Sequence, residues 1–262
     1  MVNKKTLVVG NWKMNLSVDQ ASILVHHLDK QINNHHNLEI VLAPSFLSLQ
    51  SLRVEINHTK FKLASQNGYF VDEGAYTGEV SYSMQKHLVD YAIIGHSARR
   101  IYFHESHEEI RDKIKAAVRN SITPILCIGE TKQERLNSET NHILHDQLTS
   151  AIYNLTSDEV ANLVVAYEPV WAISTFDGEV SKPDDMQKAL HFIRNQISDL
   201  YGEELANEVR LLYGGTVDDL NILSYISLPD CDGVLVGGAS LNYQKFSTIV
   251  SKTYNFILTK GK

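Results

Sequence analysis

Cysteine is scarce in this chain. Its 262 residues include two, Cys127 and Cys231. Neither sits in a Cys-x-x-Cys pair or at metal-ligand spacing from a histidine, so no metal is expected. Cys127 lies inside the apolar run Pro124–Ile128 and reads as a small buried hydrophobe. Long apolar runs are also missing. No stretch approaches the length of a membrane span, and no membrane partner is expected. Met1–Lys5 lacks the apolar region of a signal peptide, which makes the cytoplasm the expected compartment. Positive charge is in deficit, with a formal net charge of −7. That argues against nucleic acid as the main partner. A small anionic ligand is still allowed, because it needs only a local positive site. No Pro/Gly/Ser-rich linker or low-complexity tract divides the chain, so residues 1–262 are expected to form one domain.

What is present is alternation. Short apolar runs, rich in β-branched residues and bounded by Gly or Pro, recur along the whole chain. They fall at residues 7–10, 40–43, 61–64, 91–94, 125–128, 164–167, 209–213 and 234–236. Between them lie helical patterns, such as Ile110, Ile114, Ala117 and Val118 on one face of residues 107–120. Strand then helix, repeated eight times, predicts parallel strands joined by crossovers. Eight such units point to an α/β protein, a single-domain closed (β/α)8 barrel. An open doubly wound sheet is the alternative.

In such a barrel the active site lies where the strands end. The residues that follow each run are therefore the candidates: Asn11, Trp12 and Lys13, Gln66 and Asn67, His96 and Ser97, Glu130, Glu168, Gly214–Thr216, and Gly237–Gly238. Glu168 is the first charged residue after Leu163–Tyr167, and Pro169 then ends strand pairing because it has no N–H to give. A carboxylate at such a rim, half in an apolar wall and half open, suits a general base. Ser174–Gly178 is polar and turn-forming between Pro169 and Pro183, which reads as a lid between stiff ends. The two Gly pairs allow backbone N–H groups to approach an anion closely. Their position after the last two strands favours a phosphate site. Tyr69–Glu79 is a long loop with several apolar residues, a patch that a second copy of the chain would cover.

The segments GNWKMN (Gly10 to Asn15), QN…GAYTGEVS (Gln66 to Ser81), GHSARR (Gly95 to Arg100), CIGE (Cys127 to Glu130), YEPVWAI (Tyr167 to Ile173), YGGT (Tyr213 to Thr216) and DGVLVGGASL (Asp232 to Leu241) resemble triosephosphate isomerase, in family order and at family spacing. The resemblance covers the chain from end to end. It implies interconversion of dihydroxyacetone phosphate and glyceraldehyde 3-phosphate without a cofactor. It also implies roles: Glu168 as the proton carrier, His96 as a neutral electrophile, and Asn11 and Lys13 as stabilisers of the enediolate. Ser174, Thr216, Gly237 and Gly238 would hold the phosphate, and Pro169–Lys182 would be the lid. A homodimer is implied too, with Thr77 reaching the partner's active site.

Two departures stand out. Ala98 occupies the place where the family usually has a glutamate that pairs with the lysine at Lys13. The lid reads Ile173-Ser174-Thr175-Phe176-Asp177-Gly178-Glu179-Val180, longer than the usual pattern. These keep a second reading open, a barrel that binds sugar phosphates with strongly reduced turnover. A Schiff-base aldolase is a distant third, because Glu168 stands where that chemistry wants a lysine.

Overall fold

A computed structural model describes residues 4–173 and 180–260. Eight strands form a closed parallel barrel in sequence order: β1 (Thr6–Asn11), β2 (Leu38–Ala43), β3 (Phe61–Ser65), β4 (Tyr91–Ile94), β5 (Thr123–Ile128), β6 (Val164–Tyr167), β7 (Arg210–Tyr213) and β8 (Gly233–Val236). Closure comes from β1 pairing with β8, with Leu7 opposite Gly233 and Gly10 opposite Val236. Gly233 is required there, because a Cβ would lie 1.9 Å from the Leu7 carbonyl oxygen. The open-sheet alternative is thereby excluded.

The described helices are α1 (Val18–Gln31), α2 (Phe46–Glu55), α3 (Tyr82–Gln85), α4 (Ser97–Tyr102), α5 (His107–Arg119), α6 (Lys132–Leu136), α7 (Thr140–Ile152), α8 (Ser157–Ala161), α9 (Pro183–Tyr201), α10 (Glu203–Glu208), α11 (Ile222–Ile226) and α12 (Tyr243–Lys260). Their starts are set locally. Ser17 with Gln20, and Ser106 with Glu109, form reciprocal capping boxes at α1 and α5. Pro183 opens α9 at a position where its missing N–H costs nothing.

The strands are mostly apolar because both of their faces are buried, with Glu39, Lys62 and Arg210 as charged, partly exposed exceptions that pair with one another. One set of side chains, including Leu7, Val9, Val41, Ile93, Ile125, Val164 and Leu235, fills the barrel. The alternate set, including Val8, Ile40, Leu63, Leu126, Val165 and Val234, meets the helices. Ile110 and Ile114 of α5 are fully buried in that outer layer, each contributing about 1.5–3 kcal/mol. Among the described residues no helix is long and apolar enough to cross a membrane.

Candidate active site

The strand ends bring the separated rim residues together. Asn11, Lys13, His96, Glu168, Gly214–Thr216 and Gly237–Gly238 line one cavity of about 340 Å³ at the C-terminal mouth of the barrel. Of the expected site residues, Ser174 lies outside the described residues, as does the lid's central part at 174–179.

Glu168 is more enclosed than a half-open rim residue, at 2% exposure. Two glycines make room for it. A Cβ on Gly129 would meet the Glu168 carbonyl oxygen at 1.9 Å, and one on Gly214 would meet Glu168 Cγ at 2.7 Å. Its Oε2 accepts from the Ser97 N–H at 3.3 Å, and its Oε1 lies 3.4 Å from His96 Nε2. Cys127 of β5 lies against the same carboxylate. Burial pushes the Cys127 thiol well up, and the Glu168 charge pushes it further, so it stays a neutral floor to the site.

His96 follows Gly95, whose φ of +71° makes the turn out of β4. Its Nδ1 accepts from the Ala98 N–H at 3.1 Å, at the start of α4. An accepting Nδ1 leaves the proton on Nε2, the nitrogen that faces Glu168. Burial holds the imidazole below its ordinary pKa, and Lys13 and Arg99 oppose protonation further, although Glu168 favours it. The ring is therefore neutral near pH 7 and carries a donor into the cavity.

Lys13 has a left-handed backbone, with φ +52°. That conformation costs a non-glycine residue about 1–3 kcal/mol and persists only when its surroundings enforce it. Here the Lys13 N–H donates to Asn11 Oδ1 at 3.0 Å, and its carbonyl accepts from Gln66 Nε2 at 2.8 Å. Gln66 also holds the Ala43 carbonyl at 2.9 Å, which ties the turn to β2. Burial lowers the lysine pKa, and the Glu168 carboxylate partly restores it.

One wall of the cavity is backbone. The N–H groups of Gly237 and Gly238 have no acceptor among the described residues. Such free donors at a pocket wall are ready to receive an anion. Thr216 lines the same wall, and its N–H and hydroxyl both go to the Ala172 carbonyl, at 2.9 and 2.7 Å. That bond fastens the start of the lid to the loop after β7. At the lid's far end, Ser181 Oγ is 2.6 Å from Tyr213 Oη, and Tyr225 Oη donates to the Ser181 carbonyl at 3.0 Å.

Two rim candidates turn away from the cavity. Glu130 is fully buried and accepts from Trp171 Nε1 at 2.9 Å and from Tyr167 Oη at 3.1 Å. The Arg135 guanidinium covers the Trp171 ring at 4.3 Å. Together they anchor the segment after Glu168. Asn67 accepts from Lys113 Nζ at 2.9 Å. Lys113 and Arg99 both reach the buried Glu105, which forms a charge cluster linking α4 to α5. Thr77 sits on an exposed loop tip, residues 73–79, whose base is fixed by Arg119 to Asp72 at 3.0 Å. Tyr69 packs on Tyr76 with ring centroids 4.7 Å apart, so part of the loop's apolar surface covers itself.

Fold and site together define a class: a closed (β/α)8 barrel whose mouth holds a buried carboxylate, a neutral imidazole and free backbone N–H groups in one cavity. A sequence model of the triosephosphate isomerase family matches residues 6–253. The chain is 42% identical over 251 residues to the triosephosphate isomerase of Citrifermentans bemidjiense, covering 94% of this chain and 98% of that protein. It is 39% identical over 249 residues to that of Clostridium tetani, covering 95% and 96%. With the Carboxydothermus hydrogenoformans enzyme it shares 40% identity over 248 residues, covering 94% and 98%. The chain belongs to the triosephosphate isomerase family.

Proposed function

We propose that Glu168, His96, Lys13 and Asn11 carry out the isomerisation of dihydroxyacetone phosphate and glyceraldehyde 3-phosphate in this chain. The chain is an isomerase of that reaction. The observation that carries the residue roles is the 3.4 Å approach of Glu168 Oε1 to His96 Nε2 across the cavity that Lys13 lines.

Glu168 takes a proton from the carbon beside the carbonyl and returns it to the neighbouring carbon. His96 Nε2–H donates to the carbonyl oxygen as charge grows there, and a neutral ring can give and recover that proton near pH 7. Lys13, held by Asn11 and Gln66, adds a fixed positive charge to the developing enediolate. Gly237 and Gly238 N–H groups hold the phosphate, joined by Ser174 and, once its bond to Ala172 opens, by Thr216. Lid closure excludes water from the intermediate.

The protein works as a homodimer in the cytoplasm. The exposed loop tip around Thr77, with Tyr76 exposed on it, and the nearly fully exposed Met14 support the dimer, because exposed apolar groups call for cover. Sedimentation at micromolar concentration is expected to give a dimer, and a monomer contradicts this. A coupled dehydrogenase assay tests the chemistry. Glu168→Gln is expected to lower kcat by several orders of magnitude while inorganic phosphate still binds. Near-wild-type turnover in that variant removes Glu168 from the reaction. Absent turnover in the wild type, with phosphate binding intact, would favour the binding-only barrel.

A further inference from the structure

The cavity is lined by a lysine that neither the proton transfer nor the glycine cradle uses. Lys245 projects from the first turn of α12 at the mouth, beside Gly238 and Ala239. Its place is fixed from both sides. Asn242 Oδ1 accepts from the N–H groups of Gln244 and Lys245, each at 3.0 Å, which caps the helix start. The next residue, Phe246, is fully buried, and a Cβ on Gly10 of β1 would lie 3.2 Å from its Cζ. The exposed ammonium of Lys245 has no ion-pair partner among the described residues.

The charge count makes this lysine matter. Among the described residues that line the cavity, Lys13 and Lys245 are the cations, and Glu168 and Asp218 are the anions. His96 is neutral. Lys13 lies deep, with its charge already facing Glu168. Without Lys245 the lining is net negative, in a protein whose formal charge is −7. A phosphate monoester carries about −1.5 to −2 near pH 7 and would be repelled by such a mouth.

We propose that Lys245 is the outer anion-collecting residue of this site: its ammonium draws the substrate's phosphate to the glycine cradle and sets KM, and it takes no part in proton transfer. This rests on the reading of the cavity as a triose phosphate site.

The test is Lys245→Glu, with Lys245→Arg as the charge-retaining control, assayed with glyceraldehyde 3-phosphate across ionic strength. At about 0.01 M salt, where screening extends over about 30 Å, kcat/KM is expected to fall about tenfold in Lys245→Glu. The fall should reside in KM, with kcat within about twofold, and should shrink to less than about twofold in about 0.5 M salt. Lys245→Arg should track the wild type. Inorganic phosphate, as a competitive inhibitor, should weaken in parallel in the Glu variant at low salt. An unchanged kcat/KM at low salt overturns the proposal, as does a loss carried by kcat or one that salt does not diminish. If the wild type has no turnover, the isomerase reading fails on its own. Calorimetric binding of inorganic phosphate then decides: weakening by Lys245→Glu with recovery in Lys245→Arg supports the residue's role, and equal affinity ends it.

Discussion

Gly214→Ala adds one methyl group and puts it against the base. The new Cβ would lie 2.7 Å from Glu168 Cγ, 3.5 Å from its Oε1 and 3.4 Å from the Tyr167 carbonyl oxygen. Carbon atoms rest at about 3.5–4.0 Å, so Glu168 Cγ must move by about 1 Å. Gly214 does not have a left-handed backbone, so alanine brings no conformational strain of its own and the effect is steric. Glu168 cannot retreat without loss, because its carboxylate is held by the Ser97 N–H and its backbone packs on Gly129. A displacement of about 1 Å at a proton-transfer group costs roughly 10²-fold in rate. Overpacking adds about 1–3 kcal/mol of destabilisation. A coupled assay on the variant should therefore show kcat reduced about a hundredfold. Affinity for inorganic phosphate should stay within about threefold, because the atoms nearest the added methyl belong to Glu168 and Tyr167 and not to Gly237 or Gly238, whose N–H groups stay free. A kcat close to wild type would refute the reasoning, because it would mean that the position of Glu168 is not limiting.

Gly238→Val is the complementary change. A Cβ there meets nothing within 4 Å among the described residues, so the fold should survive while the anion cradle is obstructed. Calorimetry is expected to show a phosphate-bearing inhibitor bound at least about tenfold more weakly, worth about 1.4 kcal/mol; unchanged affinity puts the anion elsewhere. Glu105→Gln leaves Lys113 and Arg99 without their buried carboxylate and should cost about 3–5 kcal/mol in denaturant unfolding at neutral pH. Burial opposes ionisation of Glu105, but Lys113 and Arg99 outweigh it and hold its pKa below the usual value of 4.5. The charge therefore stabilises fully above about pH 4.5, and that stability is lost as pH falls through the lower folded-state value. The wild type should show this loss and Glu105→Gln should lack it; identical acid limbs would count against the cluster.

The local pattern of the chain determined the eight strands, the parallel crossovers and the set of rim positions. Each depends on neighbours in sequence: β-branched runs, capping residues such as Ser106, and the Pro and Gly that stop them. The rim rule then pointed to Glu168, His96 and Lys13, and the motif order pointed to the family. Ala98 and the altered lid were also visible in the sequence as departures. What only the tertiary structure decided lies between strands. Glu130 reads like Glu168 in sequence, each a carboxylate after a buried strand. Yet Glu130 faces Trp171 and Tyr167 outside the cavity, while Glu168 faces His96 within it. The enclosure of Glu168 depends on space that Gly129 and Gly214 leave from two other strand ends. Gln66 was legible as a rim residue, but its grip on the Lys13 carbonyl was not. Lys245, a helix residue eight positions beyond Gly237 at the end of β8, carried no rim signal at all and reaches the mouth because Asn242 and Phe246 fix the start of α12. The physical reason is range: periodicity and capping act within a few residues, whereas contact across a closed barrel is set by closure, which no local pattern encodes.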